Sequence, residues 1–390
     1  MAAPLALAPD TTAQVVAWRR HLHAHPELSF HEDETSAFVE ATLTALGGLT
    51  VTRPTPTSVV ARLVTGRPGP VLALRADMDA LPITEETGLP FASTAPGVMH
   101  ACGHDGHTAV LLGAVRELVA RREALVGEVR FLFQHAEETL PGGAQEMVDR
   151  GAMDGVTRVL GAHLWADLPL GQVGVPVGAV TAAPDTFWIT IRGKGGHAAN
   201  PHQTVDPIAI GAQVVTGLQQ VVARTVDPLD SAVVSVTQFH AGTTNNVIPE
   251  TAELNGTVRT FDPAVRARVV AQMERIARGI AEAHGATAAF TYEEGYRPIV
   301  NDPAVSAQVQ ALVAEACGAG ALVPMRPVMV GEDFSAFLQR APGTFVFIGA
   351  ARAIDGAVHP HHHPKFDVDE RAFETGVRLF VAAALRFNGR

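Results

Sequence analysis

The densest run of reactive side chains in this 390-residue chain is His100-Ala101-Cys102-Gly103-His104-Asp105-Gly106-His107. A cysteine and a histidine two residues apart, beside a glycine at the start of a helical pattern, can both turn toward one metal ion, and Asp105 can cap that helix. Two other readings compete: a capped helix with incidental histidines, or a Cys102 nucleophile with His104 as its base. Nearby carboxylates weigh against the nucleophile, because a reactive thiolate needs an electropositive setting. Glu137 and Glu138 come directly after an apolar run. Adjacent side chains at a strand end point apart, so one can hold an ion while the other faces an attacking water. His163 follows a third apolar run, and His359, His361, His362 and His363 precede Pro364-Lys365-Phe366-Asp367. Residues 364–390 follow that group, so it is no terminal tag, and one of its imidazoles can complete a metal site. His21, His23, His25 and His31 precede every strand and read as structural. Gly193-Lys194-Gly195-Gly196-His197 lacks the spacing of a phosphate loop and reads as a tight turn. His197 at its tip, with Asn246 and Arg259 from neighbouring strands, can face a substrate, and Arg259 suits a bidentate grip on a carboxylate.

These residues need a scaffold, and hydrophobic periodicity supplies one. Val71–Leu74, Val129–Phe133 and Val159–Gly161 are short apolar runs that predict buried strands, with a helical pattern at Val110–Leu118 between them. Alternation of this kind predicts an α/β sheet. Polar residues follow each run at once: Asp77 and Asp79, then Glu137 and Glu138, then His163. Ligands of open α/β sheets sit outside the carboxyl ends of strands, so the three runs point to one site. From Ala183 to Glu294 the pattern becomes strand Phe187–Arg192, helix Pro207–Ala223, strands Ala232–Phe239 and Ala252–Phe261, helix Pro263–His284 and strand Thr287–Glu293. That β-α-β-β-α-β order predicts a ferredoxin-like α+β domain, residues 183–294, inserted into a catalytic α/β domain of residues 1–182 and 295–390. Helix Pro303–Ala316, strand Thr344–Ile348 and a helix near Asp369–Phe387 complete the first domain.

With 47% hydrophobic and 18% charged residues the chain reads as globular, and its length predicts two domains. A net charge of −11 with no basic run opposes binding to nucleic acid or anionic membrane. Two distant cysteines, Cys102 and Cys317, fit a reducing compartment, and the cytoplasm is expected. The apolar Met1–Ala8 stretch has no basic region and is short for an export signal. No apolar run reaches the roughly 20 residues that span a bilayer.

The motifs form an ordered series: Arg20-x-x-His23-x-x-Pro26-Glu27, Arg75-Ala76-Asp77-Met78-Asp79-Ala80, Cys102-Gly103-His104-Asp105, Glu137-Glu138, Gly161-Ala162-His163, Gly195-Gly196-His197-Ala198, Asn246-Val247-Ile248-Pro249 and Gly331-Glu332-Asp333-Phe334. The series resembles, nearly end to end, the aminoacylase and carboxypeptidase family of di-metal peptidases. The branch is that of hippurate hydrolases, N-acyl-L-amino acid amidohydrolases and auxin-conjugate amidohydrolases. The resemblance implies two divalent ions per subunit, held by Cys102, His104, Glu138, His163 and His362, with the Cys102 thiolate shared and Glu137 as general base. His361 and His363 stay open as alternatives to His362, and Asp77 is expected to support the ligands. Zn, Mn, Co and Ni all suit a mixed Cys/His/Glu set. The resemblance further implies that the inserted domain is a lid that forms a homodimer and lends His197 to the partner's site, while Asn246 and Arg259 hold the substrate carboxylate. The expected reaction is hydrolysis of an N-acyl amino acid to a carboxylic acid and a free amino acid. A dipeptidase or carboxypeptidase on the same scaffold is the alternative. A non-catalytic metal-dependent binding protein is the reading from another class, and Glu137, which metal storage does not require, counts against it.

Overall fold

The computed structural model describes residues 5–390, so the first four residues of the apolar Met1–Ala8 stretch lie outside the described residues. The chain divides into two compact units, Met1–Val180 with Ile299–Pro327 and Asp333–Arg390, and Thr181–Pro298 with Val328–Glu332. The second unit thus takes in a short return segment that the sequence pattern placed in the first domain. A backbone pairing is the reason: Thr181 bridges Val328, and the Ala182 amide donates to the Val330 carbonyl at 3.0 Å.

In chain order the main elements of the first unit begin with α1 (Thr11–Ala24), α2 (Asp33–Leu46), β1 (Thr50–Thr52), β2 (Val59–Val64) and β3 (Val71–Asp77). They continue with α3 (His104–Ala120), β4 (Glu128–Gln134), α4 (Gly143–Asp149), β5 (Arg158–Trp165) and β6 (Val173–Gly174). The second unit contains β7 (Ala183–Arg192), β8 (Gly196–His197), α5 (Pro207–Thr225), β9 (Ala232–Ala241), β10 (Val247–Ile248), β11 (Thr251–Thr260), α6 (Pro263–Ala283) and β12 (Thr287–Glu293). The chain then returns through α7 (Pro303–Cys317), β13 (Leu322–Val323), β14 (Gly343–Gly349) and α8 (Ala372–Asn388).

The first unit is built on a mixed eight-stranded sheet of order β1-β2-β4-β3-β5-β14-β6-β13. Its centre, β4-β3-β5-β14, is parallel, and the β1-β2 edge is antiparallel. Parallel central strands are covered on both faces, which is why β3, β4 and β14 are buried almost without interruption. Val15 of α1, Val39 of α2, Leu111 and Val115 of α3 and Val377 of α8 share one core with Leu74, Phe131 and Leu160 of the sheet. Helix α3 lies tight on β5 because Gly106 has no side chain: a Cβ there would stand 2.5 Å from Leu164 Cδ1 and 3.1 Å from Phe373 Cε1. That close approach sets the height of the whole Cys102–His107 segment above the strand ends.

In the second unit, β9-β11-β7-β12 is an antiparallel sheet of four strands. Phe187, Ile189 and Ile191 of β7 alternate inward to meet Ile210, Val214 and Leu218 of α5 and Val269 and Met273 of α6. Both helices open with Asp-Pro: Asp206 accepts from the Ile208 and Ala209 amides, and Asp262 from those of Ala264 and Val265. A carboxylate at the cap and proline in the first turn are what specify these helix starts. Among the described residues no helix is long and apolar enough to cross a membrane.

Candidate metal centre

Parallel strands β4, β3 and β5 end side by side, so residues about 60 to 85 positions apart in sequence meet at one edge. Asp77 is the last residue of β3, Gln134 ends β4 beside it, and His163 lies within β5. The apolar run Val159–Gly161 made that strand look shorter than it is, which placed His163 after it rather than inside it. Gly103, at φ 91, opens α3 in a left-handed conformation that turns Cys102 and His104 toward this edge.

Among the described residues three groups of close ligand atoms form here, each within 4.8 Å: Cys102 with His104 and Glu138, Cys102 with His163 and His361, and His104 with His107 and His163. The first two share Cys102. His104 Nε2 and Glu138 Oε1 are 3.8 Å apart, and both are buried without a hydrogen-bond partner. Unpartnered buried polar atoms are costly, and a cation between them removes the cost. His362 Nε2 lies 3.2 Å from the same Glu138 oxygen, while its ring is half exposed. Its φ of 65 is a left-handed conformation rarely adopted by a residue with a side chain, and its amide is pinned to the Ala101 carbonyl at 2.8 Å. Glu137 lies with Asp333, their carboxylates within 4.8 Å of one another. Asp333 is itself fixed by Arg75, Gln134 and the Ala144 amide.

Backbone partners settle which ring nitrogens carry hydrogen. A carbonyl only accepts and an amide N–H only donates, so each contact assigns a tautomer. His104 Nδ1–H donates to the Asp79 carbonyl at 2.9 Å, and His163 Nδ1–H to the Leu164 carbonyl at 2.8 Å. Both rings therefore turn Nε2 toward the cluster. His107 is the reverse: its Nε2 accepts from the Leu164 amide at 2.8 Å, and Nδ1–H donates to Asp77 Oδ1 at 2.6 Å. It is a brace for Asp77 and not a ligand. Asp77 Oδ2 also accepts from Arg75 at 2.7 Å. Asp79 joins the two halves of the centre, since its Oδ1 lies 3.2 Å from His104 Nδ1 while Oδ2 accepts from the Glu138 amide at 3.0 Å and the Ser29 hydroxyl at 2.7 Å.

The electrostatics fit a cation. Burial, with Glu138, Glu137 and Asp77 around it, pushes the Cys102 thiol well above its ordinary value. A reactive thiolate needs an electropositive setting, so this surround of carboxylates weighs against the cysteine-nucleophile reading. Burial lowers His104, but Asp77, Asp79 and Glu138 outweigh it and raise the ring to about 10, so a bound cation would take the place of the proton on its Nε2. Burial, followed by His107 and His361, holds His163 well below its usual range, so its ring is neutral. A set of thiolate, neutral imidazole and carboxylate donors suits borderline divalent ions.

Asp105 does not cap α3, whose N-cap has no side-chain bond. It accepts from Arg19 Nε and His23 Nδ1, both at 2.7 Å, while Arg19 Nη2 donates to Asp367 at 2.6 Å. This fully buried network ties α1, the start of α3 and the loop behind His361–His363 together, and it gives His23 a place away from the ligand cluster. His21 and His25 are exposed, their rings 4.7 Å apart. Sequence reasoning placed Asp79 at a strand end facing the site and His107 in the densest reactive run, but gave neither a role. The signal for His107 is its position one turn beyond His104, and for Asp79 its place in the quoted Asp77-Met78-Asp79 motif.

In the second unit His197 is exposed and pairs with Val247, which puts it beside Asn246, whose carbonyl accepts from the Ala198 amide at 3.1 Å. Arg259 is not with them. It lies opposite Pro184 near the far end of β11, eight residues beyond Thr251, or roughly 27 Å along a strand. Its guanidinium donates to the Thr257 hydroxyl and to the Val258 carbonyl. One copy of the chain therefore does not bring His197, Asn246 and Arg259 to one point.

A central mixed sheet whose parallel strand ends, with the start of α3, gather cysteine, histidine and paired glutamates at one edge defines a two-metal hydrolase. Residues 73–386 match the model of peptidase family M20/M25/M40, and the chain belongs to that family. It is 59% identical over 295 residues, 76% of this chain and 80% of the relative, to an N-acyl-L-amino acid amidohydrolase of Geobacillus stearothermophilus. It is 40% identical over 385 residues, 96% of each chain, to thermostable carboxypeptidase 1 of Saccharolobus solfataricus. A Bacillus subtilis structure described as a dinuclear metal binding peptidase from the M20 family superposes with a TM-score of 0.85 at 38% identity, covering 97% of this chain and 99% of the other. The chain is accordingly a metal-dependent hydrolase acting on amides, with two divalent ions per subunit.

Proposed function

We propose that this enzyme hydrolyses the amide bond of N-acyl amino acids to a carboxylic acid and a free amino acid, working in the cytoplasm as a homodimer. Cys102, His104, Glu138, His163 and His362 would hold the ions, and Glu137 is the general base. The observation that carries this reading is that the two glutamates stand in different groups of ligand atoms: Glu138 with Cys102 and His104, its Oε1 3.8 Å from His104 Nε2, and Glu137 with Asp333. Two bound divalent ions supply Lewis acidity, polarising the amide carbonyl and bringing the pKa of water toward neutrality. Glu137 takes the proton of the attacking water, the water oxygen bonds to the carbonyl carbon, and protonated Glu137 returns that proton to the departing amine.

Donors at the developing oxyanion lower the barrier, and His197 of the partner subunit is assigned that task. Asn246 and Arg259 grip the α-carboxylate, a local positive field in a chain of net charge −11. The separation of Arg259 from His197 and Asn246 along β11 supports the dimer, because one substrate can meet both sets only if two subunits contribute them. A monomer in sedimentation that keeps full activity on dilution contradicts this part of the reading.

The deciding experiment compares Glu137→Gln with Glu138→Gln. The first is expected to lower turnover on N-acetyl, N-benzoyl or N-lauroyl amino acids by roughly 10²–10⁴-fold or more with metal content intact. The second is expected to lose metal. Equal metal content in the two variants refutes the division of roles. In the wild type, chelation is expected to abolish turnover, with Zn, Mn or Co restoring it. Dipeptides belong in the same panel, because similarity to a carboxypeptidase favours a second reading in which the acyl side carries a free amine.

A further inference from the structure

We infer that His361 is not a metal ligand but a positioning residue, a hydrogen-bond donor to the Cys102 sulfur that tempers the shared thiolate. The inference rests on the reading above, in which Cys102 holds the ions. Proximity alone suggests the opposite, because Cys102, His163 and His361 place ligand atoms within 4.8 Å of one another. Hydrogen bonds separate the two imidazoles. The Ala166 amide donates to His361 Nε2 at 3.1 Å. An amide N–H cannot accept, so Nε2 carries the lone pair and a neutral ring has its hydrogen on Nδ1. That Nδ1 faces Cys102 Sγ at 3.8 Å, within the range of a bond to sulfur. His163 approaches the same sulfur at 3.5 Å with the opposite polarity, its hydrogen given to Leu164 and its lone pair toward the cluster. For His361 to ligate through Nδ1, the ring would have to turn away from Ala166, whose residue is fully buried, and leave that amide without an acceptor.

The ring is also held in place. It packs at 4.7 Å from Trp165, 4.8 Å from Phe366 and 5.1 Å from His163. The ring is neutral in this arrangement, because Nε2 accepts from the Ala166 amide and so carries no hydrogen. The sequence places two more histidines beside it, and the backbone separates their tasks: the left-handed turn at His362 sends that ring to Glu138, while His361 points to the sulfur. An N–H directed at a thiolate withdraws electron density from it. The thiolate then donates less to the ions it joins, and these keep more Lewis acidity for the substrate carbonyl.

The test uses the full-length enzyme loaded with cobalt(II) or zinc. In His361→Leu, which fills the space without a donor, two ions per chain are retained and kcat falls roughly 10-fold with KM within about threefold, the scale of an outer partner of a metal site. The sulfur-to-cobalt charge-transfer band moves to longer wavelength because the thiolate becomes more electron-rich. His361→Gln keeps an N–H donor and brings both band and kcat back toward wild type. Loss of one ion from His361→Leu at saturating zinc shows that His361 is a ligand and overturns the inference. So does an unmoved band with unchanged kcat. If His361→Leu does not fold, His361→Gln against His361→Phe gives the same comparison. Cys102→Ser separates the two levels: a wild-type cobalt enzyme whose spectrum this variant leaves unchanged has no sulfur ligand, which refutes the assignment of Cys102 itself.

Discussion

Asp79→Asn tests whether the two halves of the centre are joined through one carboxylate. Asp79 accepts three side-chain or backbone donors: His104 Nδ1–H on Oδ1, and the Ser29 hydroxyl and Glu138 amide on Oδ2. An asparagine keeps one oxygen. Placed at Oδ2, that oxygen preserves the Ser29 and Glu138 bonds and turns its NH₂ group toward His104 Nδ1–H, donor against donor. His104 keeps the Asp79 backbone carbonyl, so the ring is not released, but one charge-assisted bond is lost and a repulsive contact replaces it. Losing a hydrogen bond to a charged group costs about 2–3 kcal/mol. Because His104 must be held with Nε2 toward the ion, that cost appears as weaker metal binding, roughly 30- to 150-fold at 1.4 kcal/mol per tenfold. Competition with a chromogenic chelator measures it, and kcat/KM at saturating metal should recover much of the wild-type value. Metal affinity within threefold of wild type refutes the argument that Asp79 orients His104.

Two further outcomes concern stability. Glu32 is buried between the Phe30 and Ala136 amides, and burial followed by Asp79 raises its carboxyl from 4.5 to about 7. The folded chain holds a proton there that the unfolded chain has released, so stability falls as pH rises from about 4.5 to about 7 and stays lower above that window, by about 3 kcal/mol at about 1.4 kcal/mol per pKa unit. Glu32→Gln cannot ionise, and its melting temperature relative to wild type should climb between pH 5 and pH 8; a flat difference rules out ionisation of Glu32 as the cause. Arg19→Met leaves Asp105 and Asp367 buried without their guanidinium and is expected to cost about 3–5 kcal/mol in denaturant unfolding. A loss below about 1 kcal/mol would mean that Arg352, which also pairs with Asp367, carries the network.

Much of the scaffold was legible because local periodicity encodes it. Apolar runs marked β3, β4 and β14, and Asp-Pro starts marked α5 and α6 almost to the residue. The order of the strands was not legible: β14, about 180 residues after β5, pairs beside it because hydrogen-bond ladders join whatever the tertiary fold brings alongside. Asp105, a good cap by local chemistry, was claimed instead by Arg19 and His23 from a distant helix.

The candidate site divides the same way. Residue type and position at strand ends singled out Cys102, His104, Glu137, Glu138 and His163, since ligand chemistry limits which side chains can serve. What each histidine does was decided by the tertiary structure alone. His104 and His163 turn Nε2 toward the cluster because carbonyls take their Nδ1 hydrogens, whereas His107 and His361 present hydrogen because the amides of Leu164 and Ala166 take their Nε2 lone pairs. Most of those partners are brought in by the fold from distant segments, so four imidazoles identical in sequence acquire opposite polarity only when the strands and loops that carry them are packed together.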